Sequence, residues 1–206
     1  MRKSRQEAAK TRERIIASAA AEFREHGITA TGLADFMKAA GLTHGGFYRH
    51  FNSKDQLVAE ACATAAATMT ARVAASASNG REGDGLGAAV ADYLSAKHRD
   101  NPREGCPLAA LGGELARADS KTRAAASDAF VQLVDVLAGQ MEGANSKEAK
   151  KRAVFAASAM IGALTMARVV TDPLLSDTIL RSAEKAISRL MSGGISNLRR
   201  DLLHWG

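Results

Sequence analysis

Nine consecutive residues carry the densest chemistry in this chain: Thr43-His44-Gly45-Gly46-Phe47-Tyr48-Arg49-His50-Phe51. Hydroxyl, imidazole, phenol and guanidinium groups follow one another with no acid among them. Such a set donates hydrogen bonds and suits phosphate oxygens and base edges. Thr43, at a predicted helix N-terminus, offers a hydroxyl and free backbone N–H groups to a phosphate. The glycines Gly45 and Gly46 let backbone approach a duplex closely, and His44 reaches a base edge or a phosphate. Tyr48 and His50 are placed for phosphates. Arg49 suits either, and a bidentate pair with guanine is worth roughly 1–3 kcal/mol of discrimination. Lys54, at the start of the next helix, suits a phosphate. Phe47 and Phe51, spaced i and i+4, read instead as the anchors that pin this segment to a core. Tyr48 has the alternative role of covering that core. His44 and His50 have no Cys, Asp or Glu at ligand spacing, so no metal site is expected.

The elements around this stretch are short and helical. Leu33, Phe36 and Met37 mark a preceding helix, capped by Thr29 or Thr31 and ended by Gly41. Two short helices with glycine at the turn are the layout of a helix-turn-helix, whose second helix enters the major groove. Before them, Ile15, Ala19 and Phe23 fall at i, i+4 and i+8 of a helix from about Ala9 to His26, stopped by Gly27. Residues 1–8 read as a disordered basic arm. Ser53-Lys54-Asp55-Gln56 is a capping box that starts a helix to about Ala75. Ser76–Gly87 reads as a loop. Further helices are expected at Ala88–His98, Cys106–Arg117, Ser120–Glu142, about Lys147–Val170 and Asp177–Met191. Asn145-Ser146-Lys147-Glu148 is read as a second capping box, Gly143 as a stop and Ser176 as a cap. His26, His98 and His204 read as surface residues.

Composition agrees with helices throughout. The 206 residues are 46% apolar but only 4% aromatic, with three prolines. Alanine and leucine must therefore fill the core. Residues 1–54 hold ten Lys/Arg against five acids, a difference of +5 within a net charge of +6. A basic end on a near-neutral body points to a polyanion partner. The two cysteines, Cys62 and Cys106, are too few for a disulfide framework and imply a reducing compartment. The polar N-terminus is no signal peptide, and no stretch approaches the roughly 18 apolar residues of a membrane span. A cytoplasmic protein without membrane or cofactor is expected. No catalytic motif is present, so an enzyme is not expected.

Residues 9–57 resemble the DNA-binding domain of TetR-family transcriptional regulators. Arg14-Ile15-Ile16, Ala19, Phe23, Gly27, Thr31, Leu33, Ala39-Ala40-Gly41-Leu42, Gly46–Phe51 and Ser53–Leu57 carry the resemblance without a gap. It implies an all-α fold: a three-helix head over 1–53, joined by a long helix to a ligand-binding and dimerisation body over 54–206. It also implies a homodimer whose heads meet successive major grooves of a palindromic double-stranded operator. A small molecule in the body would move the helix after the head, spread the heads and release the DNA. The candidate DNA contacts are Thr31, Thr43, His44, Gly45, Gly46, Tyr48, Arg49, His50 and Lys54. Paired glycines replace the Gly-Thr or Pro-Thr of many members, so base readout is expected to fall more on Arg49, His44 or the arm. The alternative is a helical DNA-binding protein with no small-molecule switch.

In the body the candidate ligand contacts are Met69, Tyr93, Cys106, Leu111, Phe130, Met160, Leu164 and Met166, with packing the competing role for each. Their chemistry suits an apolar effector. Cys106, at a helix N-terminus near Arg103, has the further possibility of sensing electrophiles or oxidants; its plain reading is a small buried hydrophobe. The last two long helices are the dimerisation candidates, with Ala156, Ala157, Ala159, Gly162 and Ala163 permitting close approach. The tail from 192 to 206 is free to cross to a partner or cover the pocket.

Overall fold

The computed structural model describes residues 5–80, 85–141, 143 and 146–192, and these hold helices and turns without a strand. Most of the tail and the first four residues of the arm lie outside them. In order the α-helices are α1 (Arg5–His26), α2 (Leu33–Ala39), α3 (Lys54–Asn79), α4 (Gly85–Tyr93), α5 (Ala96–Asp100), α6 (Pro107–Leu115), α7 (Ser120–Gly139), α8 (Lys147–Val169) and α9 (Pro173–Ser192), with 3₁₀ turns at His44–Arg49 and Pro102–Glu104.

The helices differ from expectation mainly at their ends. Arg5–Ala8 belong to α1 rather than to an arm; these are good helix formers, and Glu7 in the first turn suits the dipole. The expected loop at Ser76–Gly87 is shorter, because α3 continues to Asn79 and α4 begins at Gly85. One helix expected at Ala88–His98 is two. Ser95 divides them: its hydroxyl donates to Asp92 O (2.8 Å) and accepts from His98 N (3.2 Å). α9 starts at Pro173, not Asp177. Asp172 caps it through Leu174 N (2.9 Å), and Ser176 is buried, donating to Ala167 O (2.6 Å). At α8, Ser146 is the N-cap, its hydroxyl accepting from Ala149 N at 3.0 Å, while Asn145, the start of the expected box, lies outside the described residues. Ser146→Ala should cost about 1 kcal/mol, the usual worth of an N-cap hydroxyl, measurable as a lowered urea midpoint.

The chain forms two compact units. The first takes in the chain through Met69 with Asn101–Phe130, so the 53/54 boundary falls inside it. Its core is Ile15, Ala19, Phe23, Phe36, Phe47, Phe51, Leu57 and Ala61, completed by Leu111 and Leu115 of α6. The second comprises Thr70–Asp100 and the chain from Val131 onward. There α8 packs along α9, α4 meets α9 and α5 meets α8. Ala153, Ala156, Ala157 and Ala167 are buried in this packing. Ala156 and Ala157 are thus used within the subunit, contrary to the expectation that they serve a partner. Arg168 closes the end of α5 by donating to His98 O (2.7 Å) and Arg99 O (3.0 Å). Arg99 in turn pairs with Asp177 at 2.6 Å.

Contrary to the expectation that no stretch approaches a membrane span, Lys147–Val169 is long and apolar enough to cross one by length and composition. A third of that stretch is buried inside the fold, while Val154, Phe155, Met166 and Val169 are exposed.

Candidate nucleic-acid interface

The 3₁₀ turn at His44–Arg49 is positioned by the end of α2. Gly41 takes φ +68, and Leu42 N donates back to Met37 O (2.8 Å) and Gly41 N to Lys38 O (2.9 Å). This Schellman arrangement needs a left-handed residue, which glycine supplies without strain. Thr43 is extended and exposed, with no capping bond from its hydroxyl. The segment expected as a short α-helix is a six-residue 3₁₀ turn. Two glycines weaken α-helix here, and the anchors Phe47 and Phe51 decide its path.

Those anchors are fully enclosed, at 0% and 2% exposure. Their rings stack at 5.5 Å, and Phe47 also meets Phe36 (5.9 Å) and the edge of Tyr48 (5.1 Å). Tyr48 itself is 66% exposed, so covering the core is not its main role. Thr43, His44, Gly45 and Arg49 are exposed, while Gly46 and His50 are half-buried. A Cβ on Gly45 would meet nothing within 4 Å, and one on Gly46 would make an ordinary contact with Met37 Cε at 3.7 Å. Packing within the subunit therefore does not require these glycines.

Two of the candidate contacts turn inward. Thr31 is buried and donates to Gly27 O at 2.7 Å; it neither caps α2, where Gly32 and Asp35 share that task, nor shows its hydroxyl to solvent. Lys54 Nζ donates to Ile28 O (2.6 Å) and Thr31 O (2.7 Å), closing the α1–α2 connection. Its ammonium is committed to carbonyls that a phosphate would have to outcompete. The capping box at Ser53 is also altered: Gln56 N donates to Ser53 Oγ (3.1 Å), but the return bond to Gln56 Oε1 comes from Asn52 N (2.9 Å).

Sequence reasoning missed the residues that tie α1 to the Asn101–Leu115 segment. Arg24 donates to Arg103 O, while Arg103 pairs with Glu22 (2.8 Å) and Glu25. Glu114 accepts from Ile28 N (3.0 Å) and Thr29 N (2.8 Å). Burial alone would raise the Glu114 carboxyl, but these backbone bonds outweigh it and hold it below the usual range. No local pattern announces contacts between residues some 80 positions apart.

The ligand candidates are divided between the two units, Met69, Cys106, Leu111 and Phe130 in the first and Tyr93, Met160, Leu164 and Met166 in the second. Met69, Tyr93, Cys106, Leu111, Met160 and Leu164 are buried, Phe130 is half-buried, and Met166 is 49% exposed on α8. Leu111 belongs to the core of the first unit, where it borders a small cavity with Cys62, Arg24 and Pro107. Cys106 does stand at the N-cap of α6, but it is only 3% exposed. Cys106 interacts electrostatically with Arg24, while Arg103 pairs with Glu22 and Glu25. Burial, then Cys106, push the Cys62 thiol up to about 11 despite Arg24. Such a thiol is inert at neutral pH.

An exposed turn of donors, held by a buried aromatic pair behind a glycine turn, defines a helix-turn-helix protein. Residues 15–61 match the model for bacterial regulatory proteins of the tetR family, and residues 84–182 match the C-terminal domain of LmrA/YxaF-like transcriptional regulators. The chain is 31% identical over 183 residues to an uncharacterised HTH-type transcriptional regulator of Mycobacterium tuberculosis, covering 82% of this chain and 90% of that one. Over 58 residues, 28% of each chain, it is 43% identical to the HTH-type transcriptional regulator TtgR of Pseudomonas putida. Among solved structures, a TetR transcriptional regulator of Chloroflexus aurantiacus aligns with TM-score 0.75 at 25% identity, covering 91% of this chain and 96% of that one. One of Cytophaga hutchinsonii aligns with TM-score 0.77 at 22% identity, covering 93% and 100%. The chain belongs to the TetR family and is a DNA-binding transcriptional regulator with its all-α fold.

Proposed function

We propose that this regulator is a homodimeric repressor that binds a palindromic operator and leaves it when a small apolar effector binds. The observation that carries the DNA reading is the exposed set Thr43, His44, Gly45, Tyr48 and Arg49 on one turn above a closed aromatic core. Arg49 and His44 read bases, Tyr48 and Thr43 hold phosphates, and Gly45 admits the duplex backbone. Dimerisation uses the exposed apolar side chains Val154, Phe155, Met166 and Val169 of α8 with Leu174 and Leu175 of α9. The effector acts on the head through α3 and through the Asn101–Leu115 segment, whose Arg103 holds the last turn of α1 and whose Glu114 holds the residues just after it. A relative 42% identical over 59 residues, the probable acrEF/envCD operon repressor of Escherichia coli, carries repression in its name. Acting on the chromosome, the protein works in the cytoplasm.

The test is selection from a random-sequence duplex pool at several salt concentrations. Wild type should enrich one palindrome, and Tyr48→Ala should bind it at least roughly tenfold more weakly with unchanged thermal stability. Enrichment of no sequence, with binding that depends on salt alone, would sink the operator reading.

A further inference from the structure

The turn that presents Tyr48 and Arg49 is too short and too rich in glycine to hold its own direction. The glycine turn after α2 fixes where it begins, and its angle then depends on what grips its C-terminal end. Two different contacts do so, and both lead to one side chain of α1. Arg12 lays its guanidinium over the ring of Phe51, 4.6 Å from the centroid. Phe51 stacks on Phe47, and Phe47 meets the edge of Tyr48. The same guanidinium donates to Glu60 Oε1 at 2.6 Å. That oxygen also accepts from Gln56 Nε2 (3.0 Å), and Gln56 Oε1 accepts from Asn52 N (2.9 Å). One arm thus runs through rings to Tyr48, and the other runs through a polar relay to the backbone just past the turn.

Glu60 is charged in this arrangement. Burial alone would raise its carboxyl, but the bonds from Arg12 and Gln56, with the charge of Arg12, hold it below the usual range. Arg12 and Glu60 keep about a third of their side-chain surface in water, 34% and 32%. A pair so exposed adds little to stability. Its geometry is another matter, because the guanidinium plane fits both a ring face and a carboxylate, which a lysine ammonium does not.

We infer that Arg12 is a positioning residue for DNA recognition: it sets the angle of the His44–Arg49 turn from α1 without contacting DNA. The inference rests on the reading that this turn meets the duplex, and Tyr48→Ala tests that reading separately. The probe is the palindromic duplex that wild type enriches, titrated across salt at a temperature where circular dichroism shows every variant folded.

Arg12→Ala should weaken binding roughly tenfold with the slope of log Kd against log salt unchanged. Arg12→Lys should recover only part of the loss. Glu60→Gln should weaken binding in the same sense, and adding it to Arg12→Ala should cost little more. In the free protein, the amide resonances of Tyr48, Arg49 and Asn52 should move in Arg12→Ala while those of α8 and α9 stay. A salt slope lower by about one unit would mean a lost phosphate contact, and full recovery by lysine would mean charge alone; either overturns positioning. So does an affinity within about twofold of wild type, whatever Tyr48→Ala shows. A loss in Tyr48→Ala with none in Arg12→Ala would leave the DNA reading standing and remove only this one.

Discussion

Phe47→Ala is expected to destabilise the head by about 3–5 kcal/mol, the usual cost of deleting a buried aromatic ring. The ring has no exposure and touches Phe36, Tyr48 and Phe51, so its loss opens a cavity at the centre of the first unit's core. Domains are stable by only about 5–15 kcal/mol, so this is a large fraction of the whole. The next residue should behave in the opposite way. Tyr48 is two-thirds exposed, and truncating it removes a surface group. Urea unfolding followed by circular dichroism, alongside operator binding, separates the two. Phe47→Ala should lower the unfolding midpoint and lose binding in proportion to the unfolded fraction. Tyr48→Ala should lose binding while its midpoint stays put. Equal midpoints for the two variants would show that the ring is not the anchor of the turn.

That contrast is legible in the sequence, because it rests on local spacing. Phe47 and Phe51 lie one helical turn apart, and Ile15, Ala19 and Phe23 follow the same rule. Gly27 and Gly41 do take positive φ where helices end. What could not be read depends on distant partners. Thr31 looks like a cap or a phosphate ligand, since threonine suits both. The carbonyl of Gly27 draws its hydroxyl inward and Gly32 takes the cap. Lys54 looks free at a helix start, and the carbonyls of Ile28 and Thr31, more than twenty residues earlier, claim it. Arg12 shows no pattern at all in sequence, because Glu60 and Phe51 reach it only in the fold. Helix ends shifted for a related reason. Ser95, Asp172 and Ser146 compete with neighbouring serines, asparagines and aspartates of similar capping strength, and tertiary packing chooses among them.

The sequence pattern puts His98 on the surface, but the second unit buries it to 1% exposure. Its Nδ1 lies 2.7 Å from Tyr93 O, so the neutral ring carries its proton there and donates it. Burial is the main force on its titration. The Tyr93 bond and Asp92 favour the charged form, Arg168 and Arg72 oppose it, and the outcome is a fall from 6.5 to about 4. The unfolded chain therefore binds a proton on this ring at a higher pH than the folded one. Stability from the neutral, buried ring is complete above about pH 6.5 and is lost as pH falls toward about 4, where the folded form protonates as well. The interval corresponds to about 3 kcal/mol. His98→Asn keeps a donor for the Tyr93 carbonyl but does not titrate. Wild type should lose about 3 kcal/mol more than this variant between pH 7 and pH 4, with the carboxylates, common to both, cancelling in the difference. Parallel curves would mean that the ring is hydrated or already charged in the folded state.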